Sequence, residues 1–295
     1  MISRRTFHGA LVGVAAAGVR TQRSFAQGTA MTAVDCHAHV FKRGLPLAAN
    51  SRYAPDYDAT PEVYLKTLDA NGITNAVLVQ PSFLGTDNGY MLDALKRHPV
   101  RFRGIAVVQP DISQGALSEL ASAGVVGIRL NLIGAPNPQL DAEPWPMFLR
   151  RLTDLGWQVE IQAEARRWPE LLPVLLESGV TIVADHFGKP DSKLGVDDPG
   201  FQHLLKAGAT GRVWVKISGS YRNGAGLPAA AIPLLRDSFG LDHLVWGSDW
   251  PHTQFETATH YAAVRRELDT WLPNDSDRRV VLFDAPRRLF WTTQN

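Results

Sequence analysis

The chain predicts an α/β fold, a single-domain (β/α)8 TIM barrel, on three observations. Eight short apolar segments alternate with helix-like stretches, and strand–helix–strand repetition builds a parallel sheet covered by helices. Once an N-terminal segment is set aside, residues 27–295 remain, close to the length of about 250 residues typical of one such barrel. His37, His39, His186 and Asp249 stand at the far ends of the first, sixth and eighth segments, and that end of a barrel is where its chemistry sits.

Residues 1–26 lie outside the predicted domain. Ser3-Arg4-Arg5-Thr6-Phe7 is a twin-arginine signature, and the apolar stretch Ala10–Val19 is too short to span a bilayer. Ser24-Phe25-Ala26 resembles a small-residue cleavage site. The segment is expected to be a signal peptide that engages the twin-arginine translocase and is cleaved after Ala26. The mature protein is then periplasmic or secreted, with no stable membrane insertion. Cleavage removes four arginines and no acid, leaving 26 basic against 29 acidic residues, a net charge of −3. With no basic run or aromatic ladder, that balance argues against nucleic acid as a partner.

Residues 27–295 form the barrel. Its strands are expected at Val34–Val40, Asn75–Ser82, Arg103–Gln109, Val126–Leu132, Gln158–Ala163, Thr181–His186, Val213–Ser218 and Leu244–Asp249. Thr60-Pro61-Glu62 supplies a cap and a first-turn proline for the helix after the first strand, and Asn71-Gly72 ends it. Leu92–Arg97, Leu117–Ala121, Trp145–Leu155, Pro169–Glu177, residues 197–207 and Pro228–Phe239 read as further helices. No Gly-x-Gly-x-x-Gly turn follows the first strand, which removes the main support for a dinucleotide fold. The stretches 42–60 and 133–144 are loops long enough to cover a site. The single cysteine, Cys36, excludes an intrachain disulfide, and alternation points it outward into helix packing.

Alternation also decides which side chains meet. Asp35, His37 and His39 share a face, aimed at the barrel mouth; His186 is in phase with Ala184 and Ile182, and Asp249 with Gly247 and Val245. A carboxylate at a strand end among small residues reads as a catalytic acid or base, with a helix cap as the plainer alternative. Lys216 lies mid-strand, in phase with Trp214 and Ser218, and such a lysine needs either an ion partner or a role in a site. Gln80 and Ser82 face the mouth from the second strand; Ser82 lacks the Gly-x-Ser-x-Gly setting of a nucleophile.

Val34-Asp35-Cys36-His37-Ala38-His39-Val40-Phe41, Asp185-His186-Phe187-Gly188-Lys189-Pro190 and Trp246-Gly247-Ser248-Asp249-Trp250-Pro251-His252 together resemble the amidohydrolase superfamily. Gln80-Pro81-Ser82-Phe83-Leu84-Gly85-Thr86-Asp87-Asn88, Gly127-Ile128-Arg129-Leu130-Asn131 and the ending Asp284-Ala285-Pro286-Arg287-Arg288-Leu289-Phe290 are similar to its branch around 2-pyrone-4,6-dicarboxylate lactonase. The resemblance covers essentially the whole mature chain and implies a hydrolase that opens a carboxylated lactone. Much of the superfamily holds divalent metal through the first-strand histidines, a fifth-strand histidine, sometimes one on the sixth strand, and the eighth-strand aspartate. Here the fifth strand reads Gln158-Val159-Glu160-Ile161-Gln162-Ala163-Glu164, without histidine, and the fourth offers no lysine for carboxylation. The resemblance therefore implies catalysis without metal or other cofactor; zinc on His37, His39, His186 and Asp249 is the alternative.

In the expected mechanism Asp249 takes a proton from water as it attacks the ring carbonyl, while His37, His39 and His186 polarise the carbonyl oxygen. Arg129, in phase with Asn131, is expected to grip a substrate carboxylate through its planar fork, with a rim ion pair as its other possible role. Arg222, Tyr221, Ser82, Lys216, Gln162 and Asn131 complete the expected substrate contacts. Three further readings stand beside lactone hydrolysis. They are a lactone isomerase of the same branch, a metal-dependent amidohydrolase, and a periplasmic solute-binding protein on a hydrolase scaffold.

Overall fold

The computed structural model describes residues 31–49, 51–224 and 226–292; the expected signal peptide lies outside them. Eight strands run in chain order as one parallel sheet: β1 (Val34–Ala38), β2 (Asn75–Val79), β3 (Phe102–Ala106), β4 (Val125–Asn131), β5 (Gln158–Gln162), β6 (Thr181–Ala184), β7 (Val213–Ser218) and β8 (Leu244–Gly247). The segment after β8 closes the cylinder on β1. There Asp249 N donates to His37 O (2.8 Å) and His39 N to Trp250 O (2.8 Å). The single-domain TIM barrel read from the sequence is the fold.

The helices that cover the barrel begin where the sequence supplies caps. On α1 (Pro61–Ala70) the Thr60 hydroxyl accepts from Val63 N and proline fills the first turn. Ser113 caps α3 (Gln114–Ser122) in the same way, after α2 (Gly89–Arg97). Next come α4 (Trp145–Asp154), α5 (Trp168–Ser178) and α6 (Pro199–Lys206), the last with Asp198 accepting from the amides of Gly200 and Phe201. Then follow α7 (Leu227–Phe239) and α8 (Tyr261–Trp271); α8 was not expected. No described helix is long and apolar enough to cross a membrane.

Apolar side chains fill two layers. Ala76, Leu78, Ile128, Ile161, Val215 and Trp246 face outward and join helix residues such as Leu68 and Leu235. Val77, Val79, Ile105, Val183, Trp214 and Val245 face inward, and Ala285 and Phe290 of the C-terminal segment seal that inner cluster from below. One end of the barrel is thus apolar, and the polar chemistry is confined to the other.

A bulge in β1 corrects the expected faces. Asp35 is opposite Ala76 and Ala38 opposite Leu78, so Cys36 and His37 together face the single residue Val77. Both Cys36 and His37 therefore point inward. Asp35 points out, where the hydroxyls of Tyr64 on α1 (2.8 Å) and Tyr261 on α8 (3.0 Å) donate to its carboxylate. Cys36 packs among Val34, Val77 and Val245 instead of against the helices. Burial pushes its thiol well up, so it stays protonated and serves as packing.

Candidate active site

A pocket of about 200 Å³ opens at the C-terminal end of the barrel. Its wall includes His39, Ser82, Arg129, Asn131, Gln162, His186, Arg222 and Asp249, all expected from the sequence, and also Arg52, Tyr53, Lys189 and the segment Thr253–Phe255. Tyr221 and Lys216 do not line it, and His37 lies one layer below its wall.

Asp249 is the hub. Its backbone is left-handed (φ 61°), which turns the side chain back over the barrel axis. Oδ2 accepts from the Tyr221 hydroxyl and from Arg222 Nε, both at 2.6 Å. Oδ1 is left facing His39 Nε2 at 3.6 Å and His37 Nε2 at 3.8 Å. Burial works to raise the Asp249 carboxyl, but Arg222 and His186 outweigh it and hold it well below the usual range, so the group is an anion. Tyr221 and Arg222, expected to touch substrate, are thus committed to this carboxylate first, and Arg222 still reaches the pocket.

His186 arrives by a different route from the one its phase implied. Ala184 and Ile182 face the helices, so continued alternation would have turned His186 outward. Left-handed backbone at His186 (φ 52°) and Phe187 (φ 60°) breaks the strand and swings the imidazole into the mouth. Its Nδ1 lies 2.9 Å from Ser218 Oγ, and burial lowers its pKa to about 4, so the ring is neutral at neutral pH. The approach is close enough to demand two glycines. A Cβ on Gly219 (φ 58°) would come within 2.9 Å of His186 Nδ1, and one on Gly247 within 2.5 Å of His37 Cβ.

The two first-strand histidines differ in their hydrogen bonding. His39 Nδ1 is 2.7 Å from the carbonyl of Val79. A carbonyl only accepts, so this nitrogen carries the proton and, in the neutral ring, Nε2 presents a lone pair. His37 Nδ1 lies 3.2 Å from Lys216 Nζ and 3.4 Å from Asp185 Oδ1, and its buried Nε2 has no hydrogen-bond partner. Burial holds the His37 pKa well below its ordinary value. The expectation that three histidines all donate to a carbonyl thus fails for neutral His39 on tautomer grounds.

Beneath the pocket lies a sealed ionic group. Lys216 Nζ is 2.6 Å from Glu160 Oε1 and 3.5 Å from Asp185 Oδ1, with every one of these side chains fully buried. Arg129 Nε is 3.2 Å from Asp185 Oδ2, and Arg129 Nη2 donates to Gln162 Oε1. Lys216 therefore has internal ion partners and no substrate contact, and Arg129 is ion-paired while still reaching the pocket. Burial raises Glu160 to about 7 against the pull of Lys216, its ion-pair partner, and the more distant Arg129. Asp185 has two cations and is held well below the usual range despite its burial. Asp185 and Asp249, with Glu160 when it is ionised, balance Lys216, Arg129 and Arg222, which is how these buried charges coexist.

Sequence reasoning missed Arg52 and Lys189, which lie on loops, and the ionic roles of Glu160 and Asp185. For Glu160 a signal existed: it and Lys216 are opposite charges at inward positions of apolar strands. Among the described residues, neither Arg52 nor Lys189 has a carboxylate within ion-pair distance. Ligand-type atoms of His37, His39 and Asp249 lie within 4.8 Å of one another, as do those of His37, Asp185 and His186.

A family model described as amidohydrolase matches residues 34–291. The chain is 32% identical over 276 residues to the 2-pyrone-4,6-dicarboxylate hydrolase of Comamonas testosteroni, covering 88% of this chain and 90% of that protein. It is 30% identical over 270 residues to the 4-sulfomuconolactone hydrolase of Hydrogenophaga intermedia, covering 87% and 88%. A crystal structure of a probable 2-pyrone-4,6-dicarboxylic acid hydrolase from Acinetobacter baumannii, with citric acid bound, superposes with a TM-score of 0.86 at 39% identity. It covers 89% of this chain and 100% of that one.

Proposed function

The chain belongs to the amidohydrolase family, and we propose that it uses water to open a carboxylated lactone, of the 2-pyrone-4,6-dicarboxylate or sugar-acid kind. The observation that carries this reading is the charge of the pocket. Among the described residues, Arg52 and Lys189 line it without a carboxylate at ion-pair distance, beside Arg129 and Arg222, whose charges Asp185 and Asp249 balance, and an anionic substrate meets the two uncompensated cations and the two guanidinium forks. The names of the relatives, lactone hydrolases of acidic substrates, point the same way.

The atoms present support the following reaction. Arg222 and Tyr221 fix Oδ2 of Asp249, leaving Oδ1 to take a proton as water attacks the ring carbonyl. His186, with Nδ1 held by Ser218, turns its other nitrogen toward the growing negative charge on the carbonyl oxygen. The intermediate collapses with cleavage of the ring C–O bond, and the proton on Asp249 passes to the leaving oxygen. Asn131 and Ser82 contact the ring from the wall.

We propose that no metal takes part. Oδ2 of Asp249 lies 2.6 Å from the Arg222 guanidinium, so a divalent ion on the same carboxylate would meet an adjacent cation that already neutralises it. At the corresponding end of β5, Gln162 offers only an amide oxygen, already engaged by Arg129, where zinc favours His, Cys or carboxylate. These residues fit a divalent ion poorly. Export by the twin-arginine route, with cleavage after Ala26, is likewise our proposal, resting on Ser3–Phe7; mass spectrometry of exported protein that retains Arg4 and Arg5 would reject the cleavage.

The deciding experiment is a panel of dicarboxylic and aldaric lactones followed by product NMR. A ring-opened acid is expected. A second lactone would identify an isomerase, and tight binding without turnover would identify a solute-binding protein.

A further inference from the structure

We propose that His37, His39 and Asp249 form a binding site for the attacking water, and that buried Lys216 is the positioning residue that gives this site its polarity. The proposal rests on the hydrolytic reading above and goes past it, because it assigns the proton on each ring nitrogen and a role to a lysine that touches no substrate.

The polarity of the site starts at Lys216. Its ammonium is fully buried and has three polar neighbours, Glu160 Oε1 at 2.6 Å, Asp185 Oδ1 at 3.5 Å and His37 Nδ1 at 3.2 Å. The contact to His37 meets hydrogen-bonding geometry, while Glu160 and Asp185 face the ammonium as ion partners. An ammonium has protons to give and no lone pair to receive. His37 Nδ1 must therefore accept, and the proton of the neutral ring lies on Nε2. Asp185 Oδ1, at 3.4 Å from the same nitrogen, pulls toward the opposite tautomer. It is the longer contact, and Asp185 is already shared between Lys216 and Arg129.

His37 Nε2–H is then a buried donor with no partner, an arrangement that is costly unless something accepts from it. His39 Nε2, by contrast, offers a lone pair, because its Nδ1–H is used on Val79 O. Asp249 Oδ1 offers another, because Arg222 and Tyr221 hold the opposite oxygen. Oδ1 is 3.8 Å from His37 Nε2 and 3.6 Å from His39 Nε2. Those gaps are too wide for direct hydrogen bonds and suit one oxygen atom seated among all three. One donor and two acceptors are the complement of a water that accepts once and donates twice. Its remaining lone pair is free to attack, and the proton it loses goes to Asp249. The two histidines of the His-x-His pair thus have opposite polarities, set from outside the pocket by Lys216 on one side and a backbone carbonyl on the other.

The test is 15N NMR of the full chain labelled at histidine nitrogen, at neutral pH without substrate, with His37→Gln and His39→Gln assigning the signals. The expected spectrum shows His37 protonated at Nε2 and bare at Nδ1, and His39 the reverse. A His37 ring protonated at Nδ1, or a His39 ring protonated at Nε2, overturns the proposal. The double variant Lys216→Met/Glu160→Gln removes both charges together. It is expected to move the His37 proton to Nδ1 and to lower kcat by about 100-fold, with KM within about twofold. Unchanged kcat in the folded double variant also overturns it. If that variant does not fold, the wild-type spectrum decides. Failure of every lactone to react would sink the hydrolytic reading while leaving the tautomer result standing.

Discussion

Two groups of charged side chains sit one above the other in this barrel, and they are built in contrasting ways. The upper one, around Asp249, is held by full hydrogen bonds on one oxygen and left open on the other. The lower one, Glu160, Lys216, Asp185 and Arg129, is fully buried, balanced in charge, and reaches the upper one through the ring of His37. The difference teaches that a pocket able to act on water needs a sealed foundation. The open atoms above keep their directions because the closed ions below cannot rearrange without leaving a charge alone in a low-dielectric interior.

That contrast breaks most visibly in the upper group. Asp249→Asn should lower kcat by about 10³–10⁴-fold while a carboxylate ligand still binds, read from steady-state kinetics and calorimetry; a loss under tenfold would remove Asp249 from the reaction. In the lower group the effect should fall on stability. Lys216→Met leaves Glu160 and Asp185 short of a cation and should cost about 3–5 kcal/mol in urea unfolding. A cost under about 1 kcal/mol would make the ion pair no better than one at the surface.

Acid sharpens the comparison. His186 has a pKa of about 4 in the folded chain and about 6.5 unfolded. Between those values only the unfolded chain takes up the proton, so stability falls as pH drops from 6.5 to 4. His186→Asn should reduce that fall by about 3 kcal/mol, measured by unfolding at the two pH values; an unaltered pH dependence would deny the burial effect. Glu160, raised to about 7, acts in the opposite sense, since the folded chain holds its proton over a range where the unfolded one has lost it. The smallest effect is expected from chelation: enzyme stripped of metal should keep its rate within assay error. Loss of rate restored by zinc would mean that the upper group holds an ion after all.

The barrel was legible because periodicity and length suffice for it. Helix α1 announced itself with Thr60, Pro61 and Gly72, whereas α8 starts at His260 with no side-chain cap, no first-turn acid and no closing glycine. The site was legible by residue type and less so by orientation. The bulge at Cys36–His37 is a property of two strands paired, which one strand's alternation does not contain. His186 was named through a phase that would have turned it outward, and a left-handed backbone at a non-glycine residue brought it in. Arg52 and Lys189 stand on loops, where no period exists to assign a direction.

The last seam of the cylinder joins segments from opposite ends of the polypeptide: the Ser248 amide donates to the Asp35 carboxylate across 213 residues. His37 and Asp249 flank that same junction, where the amide of one donates to the carbonyl of the other. Turnover therefore has to await the longest-range strand closure among the described residues, which is expected to come late because its loop entropy is the greatest of the strand pairings. A nascent or refolding chain that has assembled seven strands should be well structured yet inert, so the return of catalysis after dilution from denaturant times barrel closure itself.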